Sequence, residues 1–402
     1  MTSSVGDVIE VAVGAVAHGG HCVARLDGRV VFVRHALPGE RVRARITEGG
    51  ETARYLRADA VKVLEASPHR VPPPCPHARP GGCGGCDWQH VELAEQRRLK
   101  AAVVAEQLRR LSGIGREVVV EELPGSPDGL GWRTRVRHAV DAEGRLGFRR
   151  HRSHAVEQVE GCPLAHPALG DDAACARTWG GAAEVALAVA PAQALPIAFV
   201  DGVAAGKRIR VLEQAAGREW RVTGPGFWQV HPAAADTLAA AVLDALAPQP
   251  GEAGLDLYAG VGLFAGVVAQ AVGPTGAVVA VESSEPACKD ARRNLHDLPQ
   301  VRIAHARVDA WLRGDEAASL GGVDIVVLDP PRSGAGRAVV EAIAGRAGRA
   351  IAYVACDPAA LARDLATFAA LGWRLDTLRA FDAFPMTHHV ECVAGLVRDT
   401  VS

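Results

Sequence analysis

The sequence predicts an α/β protein of several domains: a doubly wound sheet at the carboxyl end, preceded by a small β-barrel and a mixed α+β segment bearing a cysteine cluster. Three observations carry that reading. From Gly226 onward, short apolar strands alternate with helical stretches, and the strand at 254–257 runs into a glycine-rich turn, DLYAGVGLF at 256–264. Between Val8 and Leu64, short runs of Val, Ile and Leu are separated by glycine turns, the spacing of a barrel of about five antiparallel strands. Between these regions lies SPHRVPPPCPHARPGGCGGCDWQH, where Pro68, Pro72, Pro73 and Pro74 forbid regular structure while three cysteines gather.

At 402 residues the chain is long enough for roughly two to four domains. The composition and texture divide it at 1–66, 67–225 and 226–402. Aromatic residues make up only 4%, so the cores must be built mainly of Ala, Val and Leu. A net charge of -2 conceals an asymmetry, because residues 1–155 carry 24 Lys and Arg against 18 Asp and Glu, whereas the remainder carries 20 against 28. The basic front therefore points to a polyanionic partner. The start, MTSSVGDVIEVAVGAVAHGG, has neither a basic leader nor a sustained apolar core, and the apolar stretch Ala182–Val200 is broken by Pro191 and Pro196. A cytoplasmic protein with no membrane attachment is expected. In that compartment nine cysteines argue for metal ligation or catalysis rather than disulfides.

In the first segment Arg25, Arg34, Arg41, Arg43, Arg45, Arg54 and Arg57 decorate the strands, and an OB-like barrel with basic faces grips nucleic-acid backbone. The middle segment holds Cys75, Cys83 and Cys86 in a C-x7-C-x2-C spacing, with Cys162 downstream in EGCPLAHP. Three clustered thiols and a distant fourth can close a tetrahedral sulfur site, for which zinc and [4Fe–4S] both qualify. Cys22, Cys175, Cys288 and Cys392 show no partner spacing and are expected to be structural. Val91–Leu111 has the period of an amphipathic helix, and residues 132–154 alternate as a hairpin turning at Asp141–Gly144. That hairpin carries Arg133, Arg135, Arg137, Arg145, Arg149, Arg150 and Arg152, a second candidate phosphate-contacting surface. Up to Gly226 the remainder is Ala-rich, with two weak strands, GKRIRVL and REWRVTG.

In the last segment, Pro232–Leu246 reads as a helix, and AVVAVE ends a strand at Glu282, where an acidic side chain can accept ribose hydroxyls. GVDIVVLDPPRSG ends another strand at Asp329-Pro330-Pro331. The stretch IAYVACDPAALARDL at 351–365 places Cys356 between a strand and a helix, where the positive end of the helix dipole favours thiolate.

Five ordered motifs, FWQVHP (227–232), DLYAGVGLF (256–264), LDPPRSGAG (328–336), YVACDPAALARDL (353–365) and FPMTHHVECV (384–393), resemble those of the RNA uracil-5-methyltransferase family. The front, with DVIEV at 7–11 and ALPGE at 36–40, resembles the RNA-binding TRAM domain. The resemblance covers nearly the whole chain. It implies a Rossmann-like class I methyltransferase domain, S-adenosyl-L-methionine as methyl donor, and a tRNA or 23S rRNA substrate with no obligatory protein partner. By the same likeness Gln229, Tyr258, Glu282 and Asp329 line the donor pocket, and Cys75, Cys83, Cys86 and Cys162 hold a [4Fe–4S] cluster, zinc being the alternative. The family's usual spacing is C-x5-C-x2-C, so two extra residues separate the first pair here, and His231, Leu263 and Asp357 replace common asparagines.

The chemistry implied is specific. Uracil C5 is too weak a nucleophile to take a methyl directly, so a thiolate must first add to C6, and a base must later remove the C5 proton. Cys356 fits the first role and Glu391 the second, with His388 and His389 as further proton-transfer candidates. Two other readings are a methyltransferase acting on another acceptor, such as an exocyclic amine, and a non-catalytic iron-sulfur protein that binds RNA. The pairing of Cys356 with Glu391 disfavours the first, and an intact donor site beside a nucleophile disfavours the second.

Overall fold

The computed structural model describes residues 4–50, 52–191, 195–207 and 209–399. At the front, β1 (Val8–Val16), β2 (Cys22–Leu26), β3 (Arg29–Arg34), β4 (Arg41–Glu48) and β5 (Tyr55–Glu65) close into a barrel in the order β1-β2-β3-β5-β4. Alternation makes it: in β4, Val42, Ala44 and Ile46 are buried while Arg41, Arg43 and Arg45 face solvent. The barrel is not antiparallel throughout, because β3 and β5 pair in parallel. A closed ring with an odd number of strands cannot alternate direction at every step.

In the middle of the chain, α1 (Leu93–Ser112) ends where Gly113 takes a left-handed conformation, φ 72°, and the short β6 (Val120–Glu122) follows. A six-stranded sheet comes next, in the order β12-β11-β10-β7-β8-β9. It comprises β7 (Arg135–Val140), β8 (Leu146–Arg149), β9 (Val156–Gln158), β10 (Glu184–Ala188), β11 (Ile197–Val200) and β12 (Val203–Ala204), with the short α2 (Asp171–Cys175) between β9 and β10. The β7–β8 hairpin pairs Val140 with Leu146 across the expected turn. The weak strands of the Ala-rich region form a separate hairpin, β13 (Arg210–Ala215) and β14 (Arg218–Thr223). Arg208, inside the expected GKRIRVL strand, lies outside the described residues.

After α3 (Ala234–Leu246) the doubly wound part begins. Its elements are β15 (Ala253–Leu257), α4 (Leu263–Val272), β16 (Ala277–Glu282), α5 (Glu285–Asn294), β17 (Val301–His305), α6 (Val308–Arg313), α7 (Asp315–Ser319), β18 (Val323–Leu328), α8 (Arg337–Arg346), β19 (Ala347–Ala355), α9 (Pro358–Ala370), β20 (Trp373–Asp382) and β21 (Glu391–Arg398). The sheet has eight strands in the order β17-β16-β15-β18-β19-β21-β20-β6. Strands β15 to β19 are mutually parallel, and β21 inserts antiparallel between β19 and β20. One face is covered by α1, α8 and α9 through Val104, Leu108, Val340, Leu361 and Phe368, and the other by α3 and α4 through Leu238, Val242, Phe264 and Val268. Thus α1 and β6, from the middle of the chain, complete the layers of the carboxyl-terminal sheet.

One buried contact holds α1 to that sheet. Lys100 Nζ, fully buried, donates to Asp382 Oδ1 at 2.5 Å and to the Phe384 carbonyl at 3.0 Å. Burial pushes the ammonium pKa down, and Asp382 opposes it. Asp382→Asn leaves an uncompensated buried cation and is expected to destabilise the chain by about 3–5 kcal/mol, whereas Lys100→Met with Asp382→Leu should recover most of that loss. Urea midpoints of the two variants against the parent check this.

Candidate active site

The strand order explains where the expected site residues lie. Parallel strands deliver the residues after their carboxyl ends to one edge of the sheet, and the sheet reverses its winding between β15 and β18. Along that edge Glu282 ends β16, Tyr258 follows β15, Asp329 follows β18, and Cys356 follows β19. Strand β21 starts at the same edge with Glu391, and its pairing of Cys392 with Ala355 puts Glu391 directly across from Cys356. Neighbouring strands are about 4.8 Å apart, so Cys356 and Glu391 stand side by side, while Asp329, in register with Val354, follows the next strand on the other side of β19. All of them, with Gln229, line one cleft of about 900 Å³. A second cavity of about 650 Å³ shares Tyr258, Glu282 and Pro331 with it and adds Arg307, Asp309 and Gly336.

Local sequence fixes these positions. Tyr258, Gly260 and Gly262 have φ of 66°, 56° and 96°, which lets the turn after β15 fold tightly around the strand end. A Cβ at Gly262 would come within 2.7 Å of Leu295 Cδ1, so the turn packs against α5 only as glycine. Glu282 accepts from Gly260 N at 2.9 Å and from Ser284 N at 2.6 Å, tying the two strand ends together. Behind Cys356, Tyr353 Oη donates to Asp364 Oδ2 at 2.7 Å, which also accepts from Ala335 N at 2.8 Å. That carboxylate anchors the loop after Asp329-Pro330-Pro331 to α9. His231 is buried, with Nε2 2.9 Å from Ser126 Oγ, and Nδ1 accepts from Ala233 N at the start of α3.

The barrel enters the site, which sequence reasoning missed. Asp357 caps α9 by accepting from Ala360 N at 2.8 Å, and its other oxygen lies 2.9 Å from Nε2 of His18, in the turn between β1 and β2. An asparagine could cap the helix equally but would not offer His18 a carboxylate oxygen. Gly20, in the same turn, has φ of 81°, and a Cβ there would meet His388 Cβ at 2.6 Å. His388 Nδ1 lies 2.6 Å from Asp87 Oδ2, and Arg34 of β3 reaches Asp87 at 3.6 Å. The available sign was the run His18-Gly19-Gly20, which reads locally as no more than a turn.

Electrostatics reverse one expectation. Burial, then Glu391 and Asp329, push the Cys356 thiol up to about 12, outweighing the helix terminus that was expected to favour thiolate. Burial raises Asp329 to about 7, and burial followed by the charge of Asp329 raises Glu391 well above the usual carboxylate range, with Arg332 opposing at Glu391. Burial also raises Asp256 to about 7. His389 is pushed down to about 3 by burial, His388 and Arg332, which keeps it neutral at neutral pH.

The four expected ligands also meet, because Cys75, Cys83, Cys86 and Cys162 line one small cavity beside Arg133 and Gln89. Gly85 N and Gln89 Nε2 donate to the sulfurs of Cys83 and Cys86 at 3.4 and 3.2 Å. The arginine surface is more neutralised than its count suggested. Arg41 pairs with Glu10 and Glu65, Arg57 and Arg152 with Glu48, Arg137 with Glu184, and Arg145 with Asp141.

The comparisons agree with this architecture. A TRAM domain model matches residues 2–61, and a tRNA (uracil-5-)-methyltransferase model matches residues 213–399. An uncharacterized RNA methyltransferase of Streptomyces avermitilis is 50% identical, with 98% of each chain covered. The 23S rRNA (uracil(1939)-C(5))-methyltransferase RlmD of Alkalilimnicola ehrlichii is 33% identical over 97% of this chain and 96% of its own. The chain belongs to the RNA uracil-5-methyltransferase family. The fold is shared with the tRNA (uracil-54, C5)-methyltransferase of Pyrococcus abyssi, solved with S-adenosyl-L-homocysteine, at a TM-score of 0.72 and 22% identity over 97% of this chain and 100% of that one. The protein is thus an S-adenosylmethionine-dependent RNA (uracil-5-)-methyltransferase. Among the described residues of this methyltransferase no helix is long and apolar enough to cross a membrane.

Raised carboxyl pKa values make a prediction about stability. A group protonated more readily in the folded chain stabilises it fully below the unfolded pKa, near 4, and that contribution is lost as pH rises through the folded value, about 7 for Asp256. Without RNA or methyl donor, the methyltransferase should melt at higher temperature at pH 5.5 than at pH 8. Asp329→Asn removes one such charge and should raise Tm at pH 8 by about 2–5 °C while abolishing turnover. An unchanged Tm at pH 8 would contradict the burial argument.

Proposed function

We propose that this methyltransferase methylates C5 of a specific uridine in tRNA or 23S rRNA through a covalent adduct between Cys356 and uracil C6, with Glu391 removing the C5 proton. The observation that carries the reading is the placement of Asp329, Cys356 and Glu391 on three adjacent strand ends in one cleft. A base inside folded RNA cannot reach such a cleft, so the uridine must be flipped out or presented in a loop.

Bound S-adenosylmethionine supplies an electrophilic methyl group. The residues present suit it: Glu282 can accept ribose hydroxyls, the glycine turn lets backbone approach closely, and Gln229, Tyr258 and Asp329 line the cleft beside it. Asp329 and Glu391, with raised proton affinities, can donate to a uracil carbonyl when protonated and accept from N3–H when ionised. Because the Cys356 thiol holds its proton without substrate, addition to C6 must be accompanied by loss of that proton to Asp329, which leaves Glu391 unprotonated for the C5 proton and returns the proton to the sulfur when it leaves. The Cys356 sulfur then bonds C6, electron density moves to C5, and C5 takes the methyl. Glu391 takes the C5 proton, the C5–C6 double bond re-forms, and the sulfur leaves. His389, neutral and turned toward Arg332, is better placed to orient than to exchange protons.

The four-cysteine cavity is read as the site of a [4Fe–4S] cluster, with zinc as the alternative, because four thiols beside glycine-turn amides supply the ligand set of either group. The cluster's role is to fix the Pro-rich segment to the Cys162 loop, and the protein purified without oxygen should contain iron and sulfide.

The two key residues should fail at different points. Cys356→Ala should give neither adduct nor product. Glu391→Gln should add, transfer the methyl and then stall, lowering turnover by about 10²–10⁴-fold and leaving a gel-stable adduct that carries radioactive methyl. RNA containing 5-fluorouridine should trap the parent enzyme likewise, because fluorine does not leave as a proton does. A Cys356→Ala enzyme that still methylates would overturn the nucleophile assignment, and nucleoside mass spectrometry of tRNA and rRNA from a deletion strain would identify the uridine.

A further inference from the structure

A second group of potential metal ligands lies in the middle of the chain, apart from the four-cysteine cavity in its ligands. His138 is fully buried on β7, with its ring 4.7 Å from that of Phe148 on β8. Asp171 and Cys175 are the first and last residues of α2, four positions apart, so both side chains fall on the same side of one helical turn. The result is one imidazole nitrogen, one carboxylate oxygen and one thiol sulfur within 4.8 Å of each other. Cys175, expected from sequence to lack partners, therefore has two.

Details of the contact favour a cation over a plain ion pair. Asp171 Oδ2 is held by the Cys162 backbone N–H at 2.6 Å. Its buried Oδ1 has no hydrogen-bond partner, although His138 Nε2 is 3.0 Å away. With no hydrogen bond joining them, the imidazole nitrogen and the carboxylate oxygen are both available to a common cation. The Cys175 sulfur is 3.9 Å from the same Nε2. Tetrahedral zinc bonds of about 2.0–2.2 Å to nitrogen and oxygen and about 2.3 Å to sulfur would set these separations at about 3.4 and 3.6 Å, within small side-chain shifts of those found.

We propose that His138, Asp171 and Cys175 bind one zinc ion. A thiolate sulfur excludes magnesium and calcium, and a mixed nitrogen, oxygen and sulfur set suits zinc. Cys175 is only half-buried, which leaves room for water as a fourth ligand. The ion joins β7 to α2 and, through Asp171, braces the loop that carries Cys162. Its role is structural, and it is independent of the methyl-transfer chemistry.

Elemental analysis and zinc K-edge absorption of the full-length protein test this. One zinc per chain is expected in the parent, falling at least tenfold in Cys175→Ala and His138→Gln. Cys83→Ala, which removes a ligand from the other cavity, should lose iron and keep zinc. The absorption spectrum of the parent should show one sulfur near 2.3 Å with the remaining ligands nitrogen or oxygen near 2.0–2.1 Å, and this holds even if a variant fails to fold. A parent that neither contains zinc nor binds it when zinc is added would overturn the proposal. So would a four-sulfur spectrum, or zinc lost from Cys83→Ala and kept in Cys175→Ala. Iron and sulfide content decide the separate question of the four-cysteine cavity.

Discussion

The register between β19 and β21 is the constraint on which the candidate site depends. Ala355 opposite Cys392 sets Cys356 opposite Glu391, and with Tyr353 paired to Leu328 the adjacent β18 brings Asp329 to the same edge. Side chains alternate along a strand, so a slip of one residue would turn Glu391 to the other face of the sheet. The packing resists such a slip because β19 and β21 are buried along almost their whole length, with Ile351, Tyr353, Ala394 and Leu396 in one core and Ala352, Val354 and Val393 in the other. Hydrophobic complementarity on two faces thus holds a thiol and two carboxyls on three adjacent strand ends.

That enclosure sets the protonation chemistry. Three acidic groups close together and withdrawn from water cannot all ionise, so the site holds protons that the same groups in water would release. Arg332 alone among the named neighbours favours the ionised forms of both Cys356 and Glu391. A site built this way keeps its thiol protonated while it stays enclosed. The helix terminus next to Cys356 contributes less than desolvation because its dipole acts over about one turn and is screened where the cleft is open.

Much of this was legible in the sequence because it is encoded locally. Strand-turn-helix units, the glycine turn after β15, and the residues Asp329, Cys356 and Glu391 at strand ends all follow from short-range patterns. Contacts spanning long stretches of chain were not legible. His18 is separated from Asp357 by 339 positions and Lys100 from Asp382 by 282, and no periodicity couples them. The all-antiparallel barrel failed on ring closure, which depends on the number of strands and not on the pattern within any one. Cys175 lacked a partner by spacing because its neighbours come from a strand 37 residues earlier and from the far end of its own helical turn.

The charge asymmetry has a related explanation. A surplus of arginines in residues 1–155 suggested broad basic surfaces, yet several of those side chains lie against carboxylates, Arg41 and Arg137 on adjacent strands and Arg152 across from Glu48 of the barrel, where they present little net field. The cleft itself is bordered by Arg133, Arg135, Arg137 and Arg332, with His151 and His388 beside them. A narrower groove between the barrel and the β8–β9 turn adds Arg34, Arg57, Arg150 and Arg152 around Phe32 and His21. Arg57 also lies over the rings of Phe32 and Tyr55 at 5.5 and 5.4 Å, giving that groove a stacking surface as well as charge. Arginines therefore line one path from the barrel through the groove to Cys356, although Glu48, itself in the groove, pairs with Arg57 and Arg152, and Glu184 pairs with Arg137. The turn carrying His18 and Gly20 joins the two ends of that path, so the barrel itself forms a wall beside Cys356, held there by the contact of His18 with Asp357 and the close approach of Gly20 to His388.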